Sequence, residues 1–211
     1  MKHFIDLGTH KFEGLNEFTQ KLNIDKNWNV YCYEPNVDIF NVSVKVKDQI
    51  TSKYKTLEHY NVAVSDNNGV IIFNKHKGAW FFNKDDKKYV SEYTTGSNML
   101  DINPQLDYGN GAIFHIEKEE VKCVDINDII ENIVRNDSNA EIYIKCDTEG
   151  SEFKILPRIL KSDFLKNIKE MYIEWHERFW YNTNEYNSKI IEKHNLLESL
   201  KNIGIVCYTH T

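Results

Sequence analysis

Two stretches of the 211-residue chain combine residue types that can do chemistry at close spacing. The first is Asp147-Thr148-Glu149-Gly150-Ser151-Glu152, which ends the apolar run at 142–146. Three carboxylates at the mouth of a strand repel one another unless they share a proton or a cation. Further on, Glu174 and His176 are two positions apart at the end of another apolar run. Both therefore point to one face while Trp175 points to the other. If the two runs are neighbouring strands, Asp147, Glu149, Glu174 and His176 meet at one rim. That group suits general-base chemistry, or a hard divalent cation (Mg or Mn) held by Asp147, Glu174 and His176. The plainer alternative is a set of solvated acids at a helix N-terminus, where the dipole favours negative charge.

The second stretch is the turn Gly8-Thr9-His10-Lys11-Phe12-Glu13-Gly14, which follows the apolar run at 4–7 and precedes a helical pattern. A glycine at that place lets a ligand approach the backbone, and the helix N-terminus offers free N–H groups. The next apolar run, 30–33, ends in Glu34-Pro35. A carboxylate at the end of a second strand suits a ribose diol, because it accepts two hydroxyl hydrogen bonds at once. The spacing is not GxGxxG, and GxxxxGK[ST] is absent, so the dinucleotide and P-loop fingerprints both fail. Gly8 and Glu34 together point to a nucleoside-containing ligand.

The elements that must position these residues read as alternating strands and helices. Short apolar runs at 4–7, 30–33, 61–65, 70–73, 142–146, 171–175 and 205–208 have the look of strands buried on both faces. Between several of them apolar residues recur at helical spacing: Leu15, Phe18 and Leu22; Ile126, Ile129, Ile130 and Ile133; Phe153, Leu156, Ile159 and Leu160; Ile190, Ile191, Leu197 and Leu200. That order predicts an α/β fold with a mostly parallel sheet and helices on both faces. The stretch 74–119, with Gly78, Trp80, Phe81, Phe82, Gly96, Pro104, Gly109 and Gly111, is too long for an ordinary connection and reads as a hairpin plus insertion.

Composition bounds the partners. Hydrophobic residues make up 41% and aromatics 13%, enough for a core, and the length suits a single domain over 1–211. A net charge of -6, with only three Arg among 26 basic residues, argues against a nucleic-acid partner. No apolar run approaches the roughly 20 residues that a membrane span needs. The N-terminus meets Asp6 before an apolar signal core can form. Cys32, Cys123, Cys146 and Cys207 show no CxxC spacing and read as buried free thiols in a reducing, cytoplasmic compartment.

The strings FIDLGTHKFEG, YCYEPN, NVAVSDNNGVIIF, GSNML, VKCVDINDII, IYIKCDTEGSEFKIL and MYIEWH, in this order from Phe4 to His176, resemble the FkbM-type S-adenosylmethionine-dependent methyltransferases. The resemblance implies a class I, Rossmann-like methyltransferase fold and methylation of an oxygen, in known members often a sugar or glycan hydroxyl, a deoxysugar such as rhamnose among them. By resemblance, Asp6, Gly8, Thr9 and His10 line the methionine part of the cofactor. Glu34 and Pro35 hold the ribose, Ala63, Val64 and Ser65 border the adenine, and Asp147 sits near the methyl donor. The family's Gly-Ala-Asn-x-Gly loop is here Gly8-Thr9-His10-Lys11-Phe12, without the second glycine. The seventh, antiparallel edge strand usual in this fold is expected to be missing or supplied elsewhere, and a module of a larger protein, fused to or associated with glycosyltransferase domains, is expected.

An alcohol has a high pKa, so its methylation needs a base or a metal beside an aligned methyl donor. His176 is expected as the base, with Asp147 and Glu149 orienting the acceptor hydroxyl or binding a divalent ion. The alternative makes Glu149 the base and His176 a ligand beside Asp147 and Glu174. Two rival functions stay open: an NAD-dependent sugar-modifying enzyme, and a non-catalytic domain that binds a glycan or a partner.

Overall fold

The apolar runs and the amphipathic segments between them form alternating strands and helices in the computed structural model, which describes residues 1–83, 86–90, 97–100, 112–181 and 183–210. In chain order these are β1 (Lys2–Leu7), α1 (Glu13–Lys21), β2 (Trp28–Tyr33), α2 (Val37–Ile50), β3 (Thr56–Tyr60), β4 (Ala63–Ser65), β5 (Gly69–Asn83), β6 (Asp86–Val90), β7 (Ala112–Asp125), α3 (Ile126–Asn136), β8 (Glu141–Cys146), α4 (Glu152–Ile159), β9 (Ile168–Glu174), α5 (Tyr186–Asn202) and β10 (Val206–His210). Gly96, Pro104, Gly109 and Gly111 of the expected insertion, and the side chains of Trp80, Phe81 and Phe82, lie outside the described residues.

Six strands build one sheet in the order β10-β9-β8-β1-β2-β3, and every neighbouring pair is parallel. Parallel pairs need long crossovers, which the helices supply while covering both faces. In β1, Ile5 and Leu7 pack into the core built by α3, α4 and α5. Phe4 packs with Phe12, Phe18, Trp28 and Val30 on the opposite face. The same alternation puts Asp6 on the side of Phe4, inside the molecule. The chain leaves β1 for β2 on one side, while β8 lies on the other. The crevice at their carboxyl ends is thus the place where such sheets bind ligands.

Two details differ from the sequence reading. The third sheet strand is β3, with a single buried residue, Leu57, and so almost no apolar signal at an exposed edge. The run expected at 61–65 contributes β4, which leaves the main sheet and pairs in parallel with β7. A second sheet, β4-β7-β5-β6, is built around the long antiparallel pair β5 and β7, whose register shifts between His76 and Gly78. This antiparallel pair supplies the hairpin of the stretch expected at 74–119, of which 84–85, 91–96 and 101–111 lie outside the described residues. On the far edge of the main sheet β10 pairs in parallel with β9, and among the described residues no antiparallel strand flanks it. Among the described residues no helix is long and apolar enough to cross a membrane. All four cysteines are free, and Cys32, Cys123 and Cys146 are buried.

Candidate active site

The carboxyl ends of β1, β2 and β8 are tied together by backbone hydrogen bonds. Gly8 N and Thr9 N both donate to Tyr33 O at 3.1 Å, and Asp147 N donates to Leu7 O at 3.1 Å. Gly8 has φ 76°, and a Cβ built on it would stand 1.9 Å from the Asp147 carbonyl oxygen. The glycine is therefore demanded by the adjoining loop after β8, beyond any demand that a ligand makes. His10 (φ 49°), Phe12 (φ 66°) and Glu149 (φ 50°) also occupy the left-handed region, which side chains other than glycine adopt at a cost. Strain of this kind persists where surrounding contacts over-determine it.

Beneath the loops lies a buried charge network that strand register creates. Asp6 of β1 is the direct partner of Lys145 of β8, and both side chains point to the same face. Lys145 Nζ stands 3.3 Å from Asp6 Oδ1, donates to Gly8 O at 2.8 Å and to Asp147 Oδ2 at 3.1 Å. Thr9 Oγ1 donates to the other Asp6 oxygen at 2.7 Å. Burial opposes the charge on Lys145, but Asp6 and Asp147 outweigh it and raise its pKa above the usual lysine value. One lysine thus fastens the Gly8 turn to the Asp147 loop.

Above this network opens a cavity of about 710 Å³, counting the space at its mouth. Leu7, Gly8, His10, Tyr33, Glu34, Pro35, Asn36, Ile39, Val62, Ala63, Val64, Phe73, Ser97, Met99, Asp147, Thr148 and Glu149 line it. Glu34 is 6% exposed and accepts from His10 N at 2.9 Å on Oε2 and from Asn36 N at 2.8 Å on Oε1. Each oxygen keeps a lone pair for a further donor. Burial lifts the Glu34 pKa to about 7, against the pull of the two backbone N–H groups and of Lys145. Asn36 also caps α2, accepting from Asp38 N and Ile39 N, so the helix start and the acidic strand end are one unit.

Asp147 and Glu149, which line the same cavity, belong to the acidic rim. His176 is fully buried, with Nε2 at 3.0 Å from Glu149, 3.5 Å from Glu174 and 3.7 Å from Asp147. Its Nδ1 stands 3.3 Å from Glu152 Oε1. Glu152, itself fully buried, accepts from His176 N at 2.7 Å and from Gly150 N at 2.8 Å, which locks the loop after β8 to the end of β9. Burial opposes a charge on His176, yet Glu149, Glu152 and Glu174 together hold its pKa well above the usual value. Burial would raise Glu149, but the His176 imidazole and the Arg178 guanidinium hold it below the usual range. Desolvation raises Asp147 despite Lys145.

Gly8, His10, Glu34, Pro35, Ala63, Val64, Asp147 and Glu149, all singled out from sequence, stand on the cavity wall. Asp6 and Thr9 do not: they are buried under the Gly8 turn and hold it from below. Ser65 also stands apart, donating to Asp66 at 3.1 Å. His176 and Glu174 are not on that wall: His176 is fully buried beside Asp147 and Glu149, and Glu174 stands 3.5 Å from its Nε2. Lys145 was missed as part of the site, and Glu152, read as one of three carboxylates, proves to be the buried group that holds the His176 and Gly150 backbone. The signal for Lys145 was available, a lysine inside an apolar strand, since an unpaired lysine is almost never buried.

No curated protein sequence matches the chain significantly. A crystal structure of methyltransferase FkbM from Methylobacillus flagellatus KT is similar, with 13% identity and a TM-score of 0.46. The match covers 90% of this chain and 38% of that one, so the chain spans well under half the length of that protein. The methyltransferase FkbM domain family model matches residues 6–200, from the buried aspartate of β1 through the last turn of α5. With that match over nearly its whole length, the chain belongs to the FkbM-domain methyltransferase family.

Proposed function

We propose that the chain is an S-adenosylmethionine-dependent O-methyltransferase whose acceptor is a hydroxyl of a sugar or glycan. The observation that carries this reading is a single cavity lined both by the buried Glu34 and by the carboxylates of Asp147 and Glu149. The residues present suit the cofactor. Glu34 has lone pairs left for two ribose hydroxyls, and Ile39, Val62, Ala63, Val64 and Phe73 offer an apolar surface to a base. Gly8, His10 and Asp147 border the space left for the amino-acid part. When bound, the cofactor supplies a methyl group already activated on a sulfonium.

The chain's own residues then have two tasks. Asp147 and Glu149 accept hydrogen bonds from the acceptor, orient its hydroxyl and draw off its proton. His176 and Lys145, each close behind them, fix these carboxylates and are positioning residues. A wall of carboxylates favours a neutral, hydroxyl-rich acceptor and disfavours an anionic one.

Calorimetry with S-adenosylmethionine and with NAD tests the cofactor, and heat with the first alone is expected. Binding of NAD alone would make the chain a sugar-modifying oxidoreductase; binding of neither would make it a non-catalytic domain. Incubation with a labelled methyl donor and a panel of nucleotide sugars and deoxysugars should yield a product heavier by one methyl group at an oxygen. Label on nitrogen or carbon would overturn the O-methylation.

A further inference from the structure

We propose that Asp147, Glu149 and His176 form a divalent-cation site, with Glu174 beside it and an open side toward the cavity. Donors about 2.1 Å from a shared ion stand about 3 Å apart at a right angle and about 4.2 Å apart in line. Here one ligand atom from each of the three residues lies within 4.8 Å of the others, and His176 Nε2 stands 3.0 Å from Glu149 and 3.7 Å from Asp147. An acidic cluster alone would carry nothing, and the histidine adds the independent observation. It is fully buried, and neither ring nitrogen makes an aligned hydrogen bond to the carboxylates that crowd it. Nε2 is aimed into the cluster, while Glu152 stands behind Nδ1 at 3.3 Å. A carboxylate behind one nitrogen, with the other nitrogen aimed at anionic oxygens, is how metal-binding histidines are oriented.

Charge points the same way. Among the described residues, Lys145 pairs with Asp6 and Asp147, and the half-exposed Arg178 stands 3.9 Å from Glu149, in a group that also holds the carboxylates of Glu152 and Glu174. Oxygen donors with one imidazole suit Mg or Mn better than a soft metal. The ligand set differs from the one read off the sequence in taking Glu149 in place of Glu174, because the left-handed turn at Glu149 folds its side chain back onto His176. Asp147 and Glu149 also line the cavity, so a cation there would meet an acceptor hydroxyl. The site rests on the methyl-transfer reading for its purpose, though its existence does not.

The test uses the full chain, stripped of metal with EDTA and titrated with Mn(II). Loss of the six-line spectrum of free Mn(II) at one equivalent, with nitrogen coupling from an imidazole in pulsed electron paramagnetic resonance, is expected. His176→Gln should weaken Mn(II) binding at least tenfold while binding of S-adenosylhomocysteine, followed by calorimetry, stays intact. If that variant does not fold, the nitrogen coupling in the unmodified chain decides. No binding at millimolar Mn(II), or binding without nitrogen coupling, overturns the site. Failure of S-adenosylhomocysteine to bind while Mn(II) binds with nitrogen coupling would sink the methyltransferase mechanism and leave the cation site standing.

Discussion

Replacing Glu34 by Gln keeps shape and volume but removes the charge on which the ribose end of the cavity depends. In the protein as it stands, one carboxylate oxygen accepts from His10 N and the other from Asn36 N. Each retains acceptor capacity for a ribose hydroxyl. Hydrogen bonds to a charged group contribute about 1.5–3 kcal/mol and neutral ones about 0.5–1.5 kcal/mol, so two neutralised bonds lose about 2–3 kcal/mol. The amide NH2 must also oppose one of the two backbone N–H groups. The expected result is S-adenosylhomocysteine binding on the order of 10²-fold weaker. The pH dependence tests the same argument independently. Burial puts the Glu34 pKa at about 7, so the ionised form that binds the diol best is depleted on acidification. Calorimetric Kd values should rise roughly tenfold from pH 8 to pH 6 in the unmodified chain and stay flat in Glu34→Gln. Lys145 and Asp6 face the same carboxylate, and the imidazole of His10, paired with Glu13 at 2.6 Å, is retained in the variant. For the free protein the sign reverses. A carboxyl whose pKa rises from 4.5 to about 7 on folding favours the fold at low pH, and that stability is lost as pH rises through about 7. A flat Kd in the unmodified chain, or variant binding within threefold of it, would refute the ribose role of Glu34.

Gly8→Ala forces a left-handed residue and puts a methyl against the Asp147 carbonyl, where the built distance is 1.9 Å. It should lower stability by more than about 3 kcal/mol in urea unfolding, and a loss below about 1 kcal/mol (roughly fivefold in the equilibrium constant) would show that the loop yields. Lys145→Met leaves Asp6 and Asp147 without their cation at a side-chain exposure of 4% and should cost about 3–5 kcal/mol. The double variant Asp6→Asn, Lys145→Met should recover part of that loss, and strict additivity would mean that the pair does not act as a unit.

Sequence by itself determined the βαβ rhythm, because strands buried on both faces must be apolar throughout and helices must repeat at 3.6 residues. It also placed Glu34 and the Asp147–Glu152 segment at strand ends, since a strand's end is a local feature. The hairpin of β5 and β7 was legible as a hairpin but not in its register, and β3 was not legible, because an edge strand with one buried residue leaves almost no pattern. Tertiary structure decided what depends on register between distant strands. Asp6 meets Lys145 across 139 positions because β1 and β8 pair in that register. Gly8 is required by a carbonyl 139 residues away, and His176 is enclosed by acids from the loop after β8 as well as from its own strand. Periodicity says which side of an element is buried; only the packing of one element on another says what each buried group faces.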